Sequence, residues 1–331
     1  MRANIFGPGQ TLVVGIAGDE WDQELVRAAA VLTQRMGLIA DLTFVFKAAS
    51  VPYDFPPFRF DSDLQPDANE LQVTAEDLRN YAHDYLEDLR GQIADEKTRV
   101  TFLEANDIAG TLAQHCLDVQ ATLLLVGGTS PNDSFLARTF DRANRLECHA
   151  QLPILILPHG VRATLGGPEF KVMVADDLTP LCLPAVETAL ALAGVMSPSL
   201  VEDAFVGDLS EVKAEALFLE TYIGAAGKKP AYADADSLTD FHRGELEHAL
   251  VNHVAAACTR LGIGNQVKIQ TRLLAGGTVE ALRQEADRFD GDVVVFGRHK
   301  TEHRWWPTFG NHLSYEKMMS FGRPILVVPP E

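Results

Sequence analysis

The stretch "GRHKTEHRWWPTFGNH", residues 297–312, gathers residue types that bind anions or metals: Gly297 and Gly310, Lys300, and the histidines His299, His303 and His312. Glycines let a backbone approach a phosphate closely, and the amides at a helix start favour negative charge. Three imidazoles invite zinc instead. The i, i+4 spacing of His299 and His303 would bring two rings together only on a helix, however, and Trp305, Trp306 and Pro307 oppose a long one. No clustered thiol or carboxylate completes the coordination, so no metal is expected and solvated loop histidines are the simpler reading. The two tryptophans read as a lid over the sheet edge.

Other chemistry is sparse. Asp176 and Asp177 adjoin in sequence, and neighbouring side chains leaving a strand point apart, so a joint carboxylate site would require a bent turn. Cys148 and His149 are adjacent on an expected helix, where consecutive residues do not face each other. No G-x-S-x-G elbow, Walker lysine motif or H-E-x-x-H helix occurs. With no positioned general acid and base visible, the expectation is a non-enzymatic binding protein.

The elements that would position these residues come from the whole chain. Its 331 residues exceed the size of one core, so two domains of about 150 residues are expected. The net charge of -18 repels nucleic acid and anionic membranes, and neither is expected as a partner. Apolar stretches are strand-sized, far short of a membrane span. The N-terminal stretch lacks a signal-peptide core and the four cysteines form no C-x-x-C pair, which points to the cytoplasm.

The sequence repeats itself. "PILILP" at 153–158 recurs as "PILVVP" at 324–329, each closing a half that opens with an apolar run, a turn and a helical stripe. Leu25, Ala29, Leu32 and Met36 form the first stripe with Gly37 as its stop; Val186, Ala189, Leu190 and Leu192 form the second, with Gly194 as its stop. Residues 74–95 make a helix with Leu78, Tyr81, Tyr85, Leu89 and Ile93 on one side. In the second half Leu246, Leu250, Val254, Cys258 and Leu261 do the same, ending at Gly262. Asp107 and Thr278 are expected N-caps. Strands lacking polar alternation, separated by helices, imply a parallel sheet covered on both faces. The Gly- and Pro-rich stretch 158–170 is the expected junction. The stretch 53–72 reads as a surface excursion, with Phe58 and Phe60 tucked under the neighbouring helix.

The strand-turn-helix openings, the glycine-bearing loop after each fourth strand and the "PILxxP" endings resemble the universal stress protein family, in a tandem two-domain form. The resemblance implies an α/β fold: two tandem flavodoxin-like (adenine nucleotide alpha hydrolase-like) domains, at 1–160 and 169–331. Each would be a five-stranded parallel sheet of order 3-2-1-4-5 with helices on both faces. It further implies an internal pseudo-dimer through 153–158 and 324–329, with a homodimer a further option, and a cytoplasmic stress-response binding or regulatory role. ATP-binding members carry G-x-x-G, nine residues and G-[ST], with an Asp after the first strand on the adenosine side. The second half reads Gly297-x-x-Lys300, nine residues, Gly310-Asn311, and supplies Asp176. The first half reads Gly127-x-x-Ser130, nine residues, Phe140-Asp141, with Ala17 in place of the Asp. The resemblance therefore implies at most one adenine-nucleotide site, in the C-terminal domain, drawn from Asp176, Gly297, Lys300, Gly310, Asn311 and His312. A plainer account makes Gly297 a tight strand exit and Gly310 a helix entry. A weak ATP-hydrolysing enzyme, and a zinc or small-metabolite sensor using the 299–312 loop, are the alternatives.

Overall fold

The computed structural model describes residues 6–46, 75–93, 95–128, 150–162, 165–207, 235–263, 267–298 and 318–330. The expected sites at Lys300, Gly310, Asn311 and His312 lie outside the described residues. So do His299, His303, Trp305, Trp306, the Ser130, Phe140 and Asp141 frame, Cys148 with His149, and the 53–72 stretch.

In chain order the elements are β1 (Thr11–Ile16), α1 (Asp22–Met36), β2 (Ile39–Phe46), α2 (Ala75–Arg90), β3 (Arg99–Glu104), α3 (Ile108–Asp118), β4 (Ala121–Gly127) and β5 (Ile154–Leu157). They continue with β6 (Phe170–Asp176), α4 (Leu183–Val195), β7 (Ser199–Val206), α5 (Ala235–Leu261), β8 (Lys268–Leu274), α6 (Thr278–Phe289), β9 (Val293–Gly297) and β10 (Ile325–Val328). The chain divides into an N-terminal unit, Asn4–Gly167 with Gly322–Pro329, and a C-terminal unit built on Pro168–Phe321.

In the N-terminal unit the strands lie in the order β3-β2-β1-β4-β5, with parallel neighbours throughout, which is the expected 3-2-1-4-5. β10 belongs to this unit as well and runs antiparallel to β5, pairing Ile325 with Ile156, Leu326 with Leu155 and Val327 with Ile154. The C-terminal unit has the parallel order β8-β7-β6-β9, the first four positions of the same topology. Four successive residues of β1 are buried, and so are Val172, Met173 and Val174 on β6. Side chains alternate across a strand, so continuous burial means that both faces are covered.

Local signals fix three of the helix ends. Gly37 closes α1 in the left-handed region at φ 68°, its N–H bonding the Thr33 carbonyl, as a C-terminal glycine should. Gly262, at φ 66°, does the same after α5. Asp107 caps α3, its carboxylate accepting from the Gly110 N–H at 3.2 Å. Three expectations are corrected. α4 runs through Gly194 to Val195, because the fully buried Met196 anchors the last turn and its N–H reaches the Leu192 carbonyl. α6 is capped by Gly277, leaving Thr278 as its first helical residue. Cys258 is only half-buried, since the α5 face turns Ala257 into the core beside Leu250 and Val254. Among the described residues, no helix is long and apolar enough to cross a membrane.

Candidate functional site

In each unit the carboxyl ends of the first and fourth strands are neighbours, and each first strand pairs on its other side with the second. Connections therefore diverge at this point, and it is here that open α/β sheets place their ligands. In the C-terminal unit the final register pair of β6 and β9 joins Ala175 to Phe296, which sets Asp176 and Gly297 side by side one residue further on. Two candidates 121 positions apart in sequence thus meet at one strand-end crevice.

Gly297 is dictated by packing. A Cβ there would lie 3.2 Å from Cys182 Sγ and 3.3 Å from Cys182 Cα, because the start of α4 presses on the end of β9. Cys182 is buried, and its Sγ–H points to the Ala175 carbonyl at 3.6 Å. Burial first, and then the charges of Asp176 and Asp177, push this thiol well above its ordinary range. The ligand atoms of Asp176, Asp177 and Cys182 lie within 4.8 Å of one another, an arrangement that could hold a metal ion on distance alone. Both carboxylates are already engaged within the protein: Asp177 Oδ1 accepts from Thr179 N at 2.9 Å and Thr179 Oγ1 at 2.7 Å, and Asp176 has partners of its own.

The Asp176 side chain is fully buried. Its Oδ1 accepts from the Leu178 N–H at 2.9 Å, and its Oδ2 lies 2.5 Å from Nδ1 of His253, which projects from α5. On β7, one strand away, Asp203 has no exposure at all, and neither of its oxygens receives a hydrogen bond. Burial first, and then the adjacent Asp176 charge, hold the Asp203 carboxyl well above the ordinary carboxylate range. His253 is raised, chiefly by its bond to Asp176 and against its own partial burial. The crevice therefore ends in a cluster of Asp203, Asp176 and His253 in which only the imidazole reaches the surface.

Sequence reading missed His253 and Asp203. His253 precedes the buried Val254 on a helical stripe read as core, and its role depends on a strand end 77 residues away. Asp203, with Glu202 beside it, breaks the apolar run of a strand that both faces bury, and two acids in such a strand were the available signal.

The N-terminal crevice is filled by the chain itself. Asp22, the first residue of α1, folds back so that Oδ1 accepts from Ala17 N at 3.0 Å. Its Oδ2 accepts from Gly18 N at 2.7 Å, Asp19 N at 3.1 Å and the Tyr85 hydroxyl of α2 at 2.9 Å. By the register that sets Asp176 beside Gly297, the residue beside Gly127 is Ile16, so the carboxylate at this crevice comes from another position. Trp21 lies over the end of β4, its Cδ1 3.4 Å from where a Gly127 Cβ would stand, with its ring centroid 4.8 Å from that of His159. Burial of Asp22 outweighs these donors and, aided by the neighbouring Asp19 charge, pushes its carboxyl up to about 7.

No family model matches the sequence, and no curated protein matches it. Among solved structures it is similar to a universal stress protein from Archaeoglobus fulgidus DSM 4304, with 11% identity and a TM-score of 0.58, covering 99% of this chain and 98% of that one. It is also similar to a functionally unknown protein from Pseudomonas aeruginosa PAO1, with 13% identity and a TM-score of 0.54, covering 97% of this chain and 92% of that one. At these identities the likeness is one of fold: along nearly its whole length, the chain has the fold of a universal stress protein.

Proposed function

We propose that the protein is a binding or regulatory module of universal stress type with at most one adenine-nucleotide site, in the domain expected at 169–331. Asp176, Gly297, Lys300, Gly310, Asn311 and His312 would line that site. One observation carries the reading: Asp176 and Gly297 are neighbours at the diverging strand ends of the C-terminal unit, whereas the equivalent crevice of the domain expected at 1–160 is filled by Trp21 and Asp22. With Asp176 bonded to His253 and fully buried, a nucleotide fits only if its phosphates lie beyond Gly297 and the imidazole gives way on the sugar side. The pairing of β5 with β10 supports an internal pseudo-dimer through 153–158 and 324–329.

A second reading, slow hydrolysis of a bound nucleotide, draws on one observation: a histidine held through Nδ1 by a carboxylate is the arrangement of a general base. One experiment addresses both. Freshly purified protein is denatured and its released small molecules are identified, and ATP with magnesium is then titrated into the native protein. Uptake without turnover is the expected result. Turnover lost in His253→Ala would select the second reading, and no uptake would remove both.

A further inference from the structure

The two units contain the same device made from different residues. In each, a buried carboxylate sits under the turn that follows the first strand, and a ring from the helix after the second strand binds it. In the N-terminal unit the pair is Asp22 and Tyr85, at 2.9 Å; in the C-terminal unit it is Asp176 and His253, at 2.5 Å. The carboxylates come from opposite ends of their turns, Asp176 from the strand and Asp22 from the helix. The pairing has therefore been kept while its sequence position changed, as expected if the contact between helix and turn is what matters.

We infer that His253 is a built-in occupant of the Asp176 position: it latches α5 onto the mouth of the C-terminal unit, and a ligand that uses Asp176 must break this bond to enter. The inference rests on the proposed C-terminal nucleotide site. It explains why a carboxylate at a ligand crevice has no exposure, and why the imidazole bound to it is the member of the pair that reaches solvent, with 14% of its side chain exposed. Among the described residues, the acidic groups around the latch hold it shut. Asp176 and Asp177 on the β6 side and Glu187 on α4 attract the imidazole. Asp203 on β7 lies buried near Asp176, and burial and the Asp176 charge raise its carboxyl. Arg260, two turns further along α5, adds a second tie at 2.9 Å from Glu187. The N-terminal counterpart closes with a phenol whose acidity is suppressed by burial and by Asp22, so that latch retains its proton.

The test compares amide hydrogen exchange in the full-length wild type, His253→Ala and His253→Asn, followed by titration of ATP with magnesium. Asn places an amide N–H near the position of Nδ1 and should keep the latch. Loss of a charge-assisted hydrogen bond should speed exchange of the α5 amides around His253 by at least about tenfold in His253→Ala. Exchange in His253→Asn should stay close to wild type, and exchange in α2 should be unchanged. Accelerated exchange in both helices would signal general unfolding, and the comparison of Asn with wild type would then decide: exchange in α5 as slow as wild type supports the latch, and faster exchange confined to α5 overturns it. His253→Ala should also bind ATP at least about tenfold more tightly. Unchanged α5 exchange in His253→Ala, or an opened α5 without tighter binding in a protein that does take up ATP, overturns the inference. If no variant takes up ATP, the nucleotide reading fails, and exchange alone decides whether the latch exists.

Discussion

Asp22→Asn is the sharpest perturbation of the N-terminal crevice. The Asp22 carboxyl is raised from 3.8 to about 7, with burial as the leading cause. A folded state that holds a proton more tightly than the unfolded chain is most stable below the unfolded value of 3.8, and loses stability as pH rises toward 7. About three pH units at about 1.36 kcal/mol each amounts to about 4 kcal/mol at most, reached near neutral pH and constant above it. Asn carries no charge, so this cost disappears. In exchange its amide nitrogen faces one of the four donors now aimed at the carboxylate, a mismatch of about 1–3 kcal/mol that does not vary with pH. Urea unfolding of both proteins from pH 4 to pH 8 measures the difference. Relative to wild type, Asp22→Asn should be the weaker protein at pH 4 and should gain about 4 kcal/mol by pH 8, ending equal or more stable. A variant that loses further ground as pH rises would refute the reasoning. It would mean that three amides and the Tyr85 hydroxyl hold an ionised Asp22 below its ordinary value.

Two more perturbations address the C-terminal unit. In Gly297→Ala the new methyl would meet Cys182 at 3.2 and 3.3 Å. It should cost about 1–3 kcal/mol in denaturant unfolding, and no loss would mean that α4 can slide away from β9. Arg288 reaches Glu202 at 2.7 Å and also pairs with Glu285; burial, followed by the Glu285 charge, raises Glu202 to about 7. Arg288→Met should cost about 1–2 kcal/mol above pH 7, the guanidinium being half-exposed, and less near pH 5 where Glu202 is protonated. A pH-independent cost would show that Arg288 acts through packing alone.

The fold was legible because its signals are local and repeated. Apolar runs such as 153–158 and 324–329, Gly37 and Gly262 at helix ends, and Asp107 as a cap each act within a few residues, and the duplication states them twice. The errors were local too: at Gly194 a tertiary contact, the burial of Met196, extended the helix past its expected stop. The candidate site was legible only where strand ends carry it, at Asp176 and Gly297. What closes it depends on long-range pairing: Tyr85 reaches Asp22 across 63 positions and His253 reaches Asp176 across 77. Helical periodicity assigns both rings to the neighbourhood of a core stripe, and nothing in their spacing reports the carboxylate they meet.

The central claim is that the two crevices differ, one filled by its own side chains and the other able to receive a nucleotide. Calorimetric titration of ATP with magnesium into the full-length wild type, His253→Ala and Gly310→Trp measures this directly through stoichiometry. The account predicts no more than one ATP per chain, a stronger signal in His253→Ala and none in Gly310→Trp. Two equivalents per chain, or binding that survives Gly310→Trp unchanged, would contradict it.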